Sequence, residues 1–137
     1  VITGTGVDGS PLSSNAWKGK VTLVDFWATW CVPCVQQLPR VKALYAKHRA
    51  EGLEVLGVSS DHDAATLKEF VGREGITWPQ LFDPKAAGEG GLHPAARESG
   101  IEGLPVMLLI DRKGVVRTIR ADEDLENFVT GLLAEPS

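Results

Sequence analysis

Residues 24–39 read VDFWATWCVPCVQQLP and contain the only two cysteines of the chain, Cys31 and Cys34, separated by Val32 and Pro33. Two thiols at that spacing can serve as a covalent staple, as half of a metal site, or as a reversible redox pair. The staple is weak, because a bridge across so short a loop removes little entropy from the unfolded chain. The metal site is short of ligands. Zinc takes about four, there is no second cysteine pair, and His48, His62 and His93 are scattered along the chain.

The redox reading has more behind it. The apolar run before the pair gives way to helical spacing after it, so the sulfurs fall at the mouth of a helix. Unpaired N–H groups and the positive end of the helix dipole favour thiolate over thiol there. Pro33 suits a first turn, where its missing N–H has no intrahelical partner to lose. Acidity alone adds little. Lowering a thiol pKa from ~8.5 to ~7 raises the thiolate fraction near pH 7 about 16-fold, while nucleophilicity falls roughly 5-fold, a net gain of about 3-fold. Proximity is the larger effect: a second thiol on the same turn attacks a mixed disulfide intramolecularly, with effective molarities that reach about 10⁵ M or more.

The elements that must hold the pair follow from periodicity. KVTLVDFWA (20–28) is apolar almost throughout and predicts a buried central strand. Leu38, Val41, Tyr45 and His48 recur at helical spacing, with Gly52 as the stop. LEVLGVSS (53–60) is a second buried strand, so strand, helix and strand make a parallel βαβ crossover. Asp63 reads as the N-cap of a helix with Leu67, Phe70 and Val71 on its apolar stripe, ending near Gly75. TWPQLFD predicts a short strand, PKAAGEGG a loop and HPAARES a brief helix. VMLLI (106–110), the DRKG turn and VVRTIR (115–120) form an antiparallel hairpin. Asp122, Glu123 and Asp124 open a last helix that carries Leu125, Phe128, Val129, Leu132 and Leu133 on one side. Before all this, VITGTGVDGSPLSS reads as a short hairpin or arm turning at DGSP.

The expected architecture is one α/β domain over 1–137: an N-terminal β arm (1–19), the βαβ unit with the cysteines (20–60), an inserted helix-strand segment with connecting helices (61–104), and a ββα close (105–137). That is a mixed central sheet with helices on both faces. Cys31 falls at the carboxyl end of a core strand, where chemistry gathers in open α/β sheets.

Composition narrows the partners. At 137 residues, 43% hydrophobic and 23% charged, the chain is an ordinary globular domain able to bury a core without staples. A formal charge of −4 shows no basic excess, which argues against nucleic acid. No apolar run approaches the roughly 20 residues of a membrane span. VITGTGVDGS lacks the basic start and apolar stretch of a signal peptide, so the expectation is that any export signal or anchor is absent from this segment. The three histidines are expected on the surface or on helix faces, and Trp17, Trp27 and Trp78 in the core.

VDFWATWCVPC resembles the thioredoxin superfamily, and GKVTLVDFWATWC with the N-terminal arm resembles its TlpA- and ResA-like branch of thiol-disulfide oxidoreductases. The likeness runs over nearly the whole chain, through Pro39, VLGVSSD and GIEGLPVMLLIDRKGVV. It implies the thioredoxin fold and a dithiol/disulfide cycle with no bound cofactor and no metal. It implies an exposed attacking sulfur on Cys31, a partly buried resolving sulfur on Cys34, and supporting roles for Trp30, Val32 and Pro33. Pro105 matches the family's cis-proline, with Gly103 and Leu104 beside it as substrate-binding backbone. Asp25 matches a buried aspartate near the resolving sulfur, where burial raises its pKa and lets it exchange a proton with Cys34. The branch implies an extracytoplasmic setting, and the protein is expected to be a monomer that acts on disulfide-containing proteins and is recharged by an upstream thiol donor. Leu104-Pro105-Val106-Met107 is more apolar than is usual for TlpA-like proteins, and Asp25 stands where they often have Asn; both favour a general reductase over a specialised one. The alternatives are an oxidase or isomerase of the same fold, a copper-binding module using Cys31, Cys34 and His62 or His93, and the sensing or docking domain of a longer chain.

Overall fold

A computed structural model describes residues 2–84, 91–118 and 124–136. The arm is a hairpin, β1 (Thr3–Thr5) antiparallel to β2 (Pro11–Ser13). The remaining strands are β3 (Val21–Trp27), β4 (Leu53–Ser59), β5 (Gln80–Phe82), β6 (Val106–Ile110) and β7 (Val116–Thr118). They form one sheet in the order β5-β4-β3-β6-β7. β3, β4 and β5 run parallel, while β6 and β7 run antiparallel to their neighbours. Among the described residues four α-helices flank the sheet: α1 (Val32–His48), α2 (Ala64–Glu74), α3 (Pro94–Glu98) and α4 (Leu125–Leu133).

Every residue of β3 is buried, as its near-continuous apolar sequence requires of a strand covered on both faces. The period of two then sorts the side chains. Val21, Leu23 and Trp27 pack with Leu38 and Val41 of α1, Leu67 of α2, and Leu125 and Val129 of α4. Val24 and Phe26 face the other way, onto Ala95 and Ala96 of α3 and onto Ile2 and Leu12 of the arm. A single one-residue slip would exchange these two sets, so the register is strongly determined. Truncating a side chain as large and enclosed as Trp27 costs about 3–5 kcal/mol.

The boundaries follow the local chemistry. α1 passes into a short 3₁₀ turn and stops at Gly52, whose φ of +107° is open to glycine. Asp63 caps α2, accepting the Ala65 N–H at 3.2 Å. Several expectations shift. Phe128 does not join the apolar side of α4 but is 42% exposed, because Leu125, Val129 and Leu132 already fill the contact with the sheet. Asp124 precedes α4 without capping its backbone and is bonded by the Asn127 side-chain amide instead. His93 is buried rather than superficial, at 3% exposure, while His48 is on a helix face as expected and is 4% exposed. His48 lies on the stripe that faces the core, and His93 sits beneath the arm, with its ring carbon Cε1 close to Gly4. Trp17 is half-buried against the arm-side core. Residues 85–90 of the expected loop, 119–120 of the expected last strand, and Asp122 and Glu123 lie outside the described residues.

Candidate active site

β3 ends at Trp27, and four residues later Cys31 stands as the N-cap of α1. Its extended backbone turns the chain into the helix, and its Sγ accepts the Cys34 N–H at 3.3 Å. The sulfur thus receives one of the donors that a helix start leaves open. Pro33 lies in the first turn. Cys31 and Cys34 are joined as a disulfide with a Cα–Cα distance of 5.3 Å. Cys31 is 7% exposed and Cys34 2%. The attacking sulfur implied by the resemblance is therefore the more accessible of the two, yet it is largely enclosed, because as N-cap it folds back over its own helix turn. Its exposed surroundings are apolar: Trp30 is 54% exposed and Val32 65%.

Pro105 comes to the same end of the sheet. Val106 opens β6 opposite Phe26 of β3, so Pro105 sits level with the strand end from which the Cys31 turn departs. The Leu104–Pro105 peptide bond is cis. Leu104 packs against the core cluster that contains both cysteines, and Gly103 is exposed just before it.

Asp25 lies on β3 in register with Gly57 on one side and Met107 on the other, 2% exposed. Burial pushes its carboxyl up to about 7. A group that titrates there can take or give a proton near neutrality.

A second buried aspartate holds the turn itself. Asp61, just beyond β4, is 3% exposed. Both of its carboxylate oxygens accept the Thr29 N–H at 3.1 Å, and Oδ1 also accepts the Thr29 hydroxyl at 2.6 Å. Its Oδ2 accepts the Ser59 hydroxyl at 2.6 Å, while the Asp61 N–H donates to Ser59 Oγ at 3.0 Å. The loop that delivers Trp30 and Cys31 is thereby fixed to the neighbouring strand. Sequence reasoning gave Asp61 no role, and its only signal was an acidic residue directly after the buried run VLGVSS. Ser60 continues the lacing: its N–H donates to Trp27 O at 2.8 Å and its Oγ accepts the His93 N–H at 2.9 Å.

Trp30, Ser60, His62 and Gly91 line an open groove of about 460 Å³ next to the disulfide turn. His62 is exposed there, whereas the His93 ring is enclosed, and its Nδ1 accepts the Ala95 N–H at 2.9 Å. Among the described residues no three His, Cys, Asp or Glu side chains gather as metal ligands would. No helix among them is long and apolar enough to cross a membrane.

A mixed sheet flanked by helices, with a disulfide at a strand-to-helix turn and a cis X-Pro bond level with it, defines a thioredoxin-fold protein. The sequence profile of the Redoxin family matches residues 2–132. The thiol-disulfide oxidoreductase ResA of Bacillus thuringiensis is 31% identical over 131 residues, covering 91% of this chain and 70% of that one. Among solved structures, a Chlorobium tepidum protein provisionally named thiol:disulfide interchange protein DsbE superposes with a TM-score of 0.83 at 30% identity, over 96% of this chain and 92% of that one. A thiol-disulfide isomerase from Corynebacterium glutamicum reaches a TM-score of 0.82 at 26% identity, over 98% and 94% of the two chains. The chain belongs to the Redoxin family, in its ResA-like thiol-disulfide oxidoreductase branch.

Proposed function

We propose that this protein reduces protein disulfides by cycling Cys31 and Cys34 between dithiol and disulfide. The carrying observation is the placement of Cys31 as the N-cap of α1 with Cys34 bonded to it one turn on. In the dithiol form the Cys31 thiolate attacks one sulfur of a target disulfide, and the other target sulfur leaves as a thiol after taking up a proton. Asp25 then accepts the Cys34 proton. The Cys34 thiolate attacks Cys31 Sγ, the mixed disulfide breaks, and the target's second sulfur departs and is protonated. Two electrons have passed to the target. An external thiol donor reopens the Cys31–Cys34 bridge, and no bound cofactor takes part.

The target docks on the exposed apolar surface of Trp30 and Val32, with its backbone along Gly103, Leu104 and Pro105. Pro33 shapes the first turn that presents the sulfur. The protein works as a monomer, and it acts outside the cytoplasm, as is usual for the branch it belongs to. Insulin reduction with dithiothreitol tests the cycle: Cys31→Ser is expected to lower the rate to that of dithiothreitol alone, and retained activity would refute the mechanism.

The similarity to a thiol-disulfide isomerase supports a second direction of flow. The reduction potential separates the two. A value near that of thioredoxin, about −270 mV, fits a reductase, and one near about −120 mV fits an oxidant.

A further inference from the structure

A row of three residues crosses the sheet two positions before the end of β3. Gly57 is in register with Asp25 on one side and with Gln80 on the other. In-register neighbours on adjacent strands send their side chains to the same face. Gln80, Gly57 and Asp25 therefore share the face that α1 covers. Gly57 leaves a vacancy in that row, and the Gln80 side chain fills it: a Cβ at Gly57 would overlap Oε1, Cδ and Nε2 of the amide.

Gln80 is 3% exposed. Its Oε1 accepts the Trp27 indole N–H at 2.8 Å. An indole N–H only donates, so the amide oxygen must face Trp27 and Nε2 must face away from it. Nε2 is then a buried donor with no protein partner among the described residues. Buried donors are rarely left so. The Asp25 carboxyl is the acceptor standing in the same row. Adjacent strands lie about 4.8 Å apart, so an amide already extended over Gly57 is about one strand spacing from Asp25.

One other buried donor of this core cluster has no partner among the described residues, the Trp78 indole N–H; Gln80, unlike Trp78, stands in the Asp25 row itself. The cluster on this face brings Val55 from β4, Met107 from β6, Cys34 and Leu38 from α1, and Leu125 and Val129 from α4. Of these only Cys34, once reduced, titrates.

We propose that Gln80 is the positioning residue of the Asp25 proton site: reaching over Gly57, its Nε2–H donates to the ionised carboxylate, directly or through one water. The Trp27 bond fixes the amide, and the missing Cβ at Gly57 gives it passage. The proposal rests on the reading of Asp25 as the base for Cys34.

The test begins with the unmodified, reduced protein. Between about pH 5 and about pH 9 the Gln80 side-chain amide resonances are expected to move with the same midpoint as the Asp25 carboxyl carbon. A Gln80 amide that stays flat while Asp25 titrates overturns the proposal. Gln80→Met removes the donor, and Gly57→Ala independently displaces it. Each is expected to raise the Asp25 midpoint by about one pH unit, since a hydrogen bond to the charged form is lost. At pH 7 that lowers the ionised fraction, and the rate at which Cys34 resolves a mixed disulfide, by about 5-fold, with recovery near pH 9. An Asp25 midpoint unmoved in both variants also overturns it. Asp25→Asn separates the two readings. If it leaves the pH dependence of resolution unchanged, Asp25 is not the base and the catalytic half of the proposal falls, while the resonance coupling stands or falls by itself.

Discussion

Asp25 and Asp61 are enclosed to the same degree, 2% and 3% exposed, near the same end of the sheet. Their surroundings oppose each other. Asp61 is saturated: Thr29 and Ser59 supply its oxygens with backbone and hydroxyl donors. Asp25 stands in register with Gly57 and Met107, and burial raises its pKa to about 7. Asp61 is bonded into the turn before Cys31; Asp25 is left able to change its charge near neutrality. Burial by itself therefore says little about what an acid does. The donors around it decide.

Removing each acid is the way to break this contrast. The largest effect is expected from Asp25→Asn at high pH. The folded-state pKa of Asp25, about 7, lies above its ordinary value of 3.8. Its favourable contribution is therefore complete below about pH 4 and is lost as the pH rises through about 7. That interval corresponds to roughly 4 kcal/mol. Urea denaturation at pH 9 is expected to find Asp25→Asn more stable than wild type by up to that order, with the difference vanishing near pH 3. A variant that is destabilised at every pH would refute the assignment.

Asp61→Ala comes next and has the opposite sign. It strands the Thr29 N–H and frees the turn before Cys31, which costs about 3 kcal/mol in stability. Insulin reduction should fall with it, since Trp30 and Cys31 are carried by that turn. A stable variant with full activity would show that the clamp does not position the site. Thr29→Val is the finest probe, because it keeps the N–H and deletes only the hydroxyl bond to Asp61 Oδ1. A loss of about 1.5 kcal/mol is expected by thermal or chemical denaturation.

Much of the fold was legible from local pattern. The apolar run through Phe26 and Trp27, the helical spacing from Leu38 to His48, and the stops at Gly52 and Gly75 each reflect forces acting within a few residues. Where the reading missed, a distant surface intervened. Phe128 fits the stripe of an isolated helix, yet the contact between α4 and the sheet closed without it. His93 carries a polar ring, yet the arm covers it.

The candidate site divides along the same line. Cys31, Pro33 and Cys34 carry their chemistry in their own spacing, because a helix start supplies donors to whatever sulfur stands there, and one turn brings the second sulfur within reach. Asp25 was visible as an acid in an apolar strand. The partners that set its task and that of Asp61 were not, since Thr29 meets Asp61 across 32 positions and Trp27 meets Gln80 across 53. Hydrogen bonds of that range exist only after the strands have paired in register and packing has excluded water, so composition and periodicity hold no trace of them. The amino-acid order determined which atoms are reactive; the folded sheet determined which of those atoms are held fixed and which remain free to titrate.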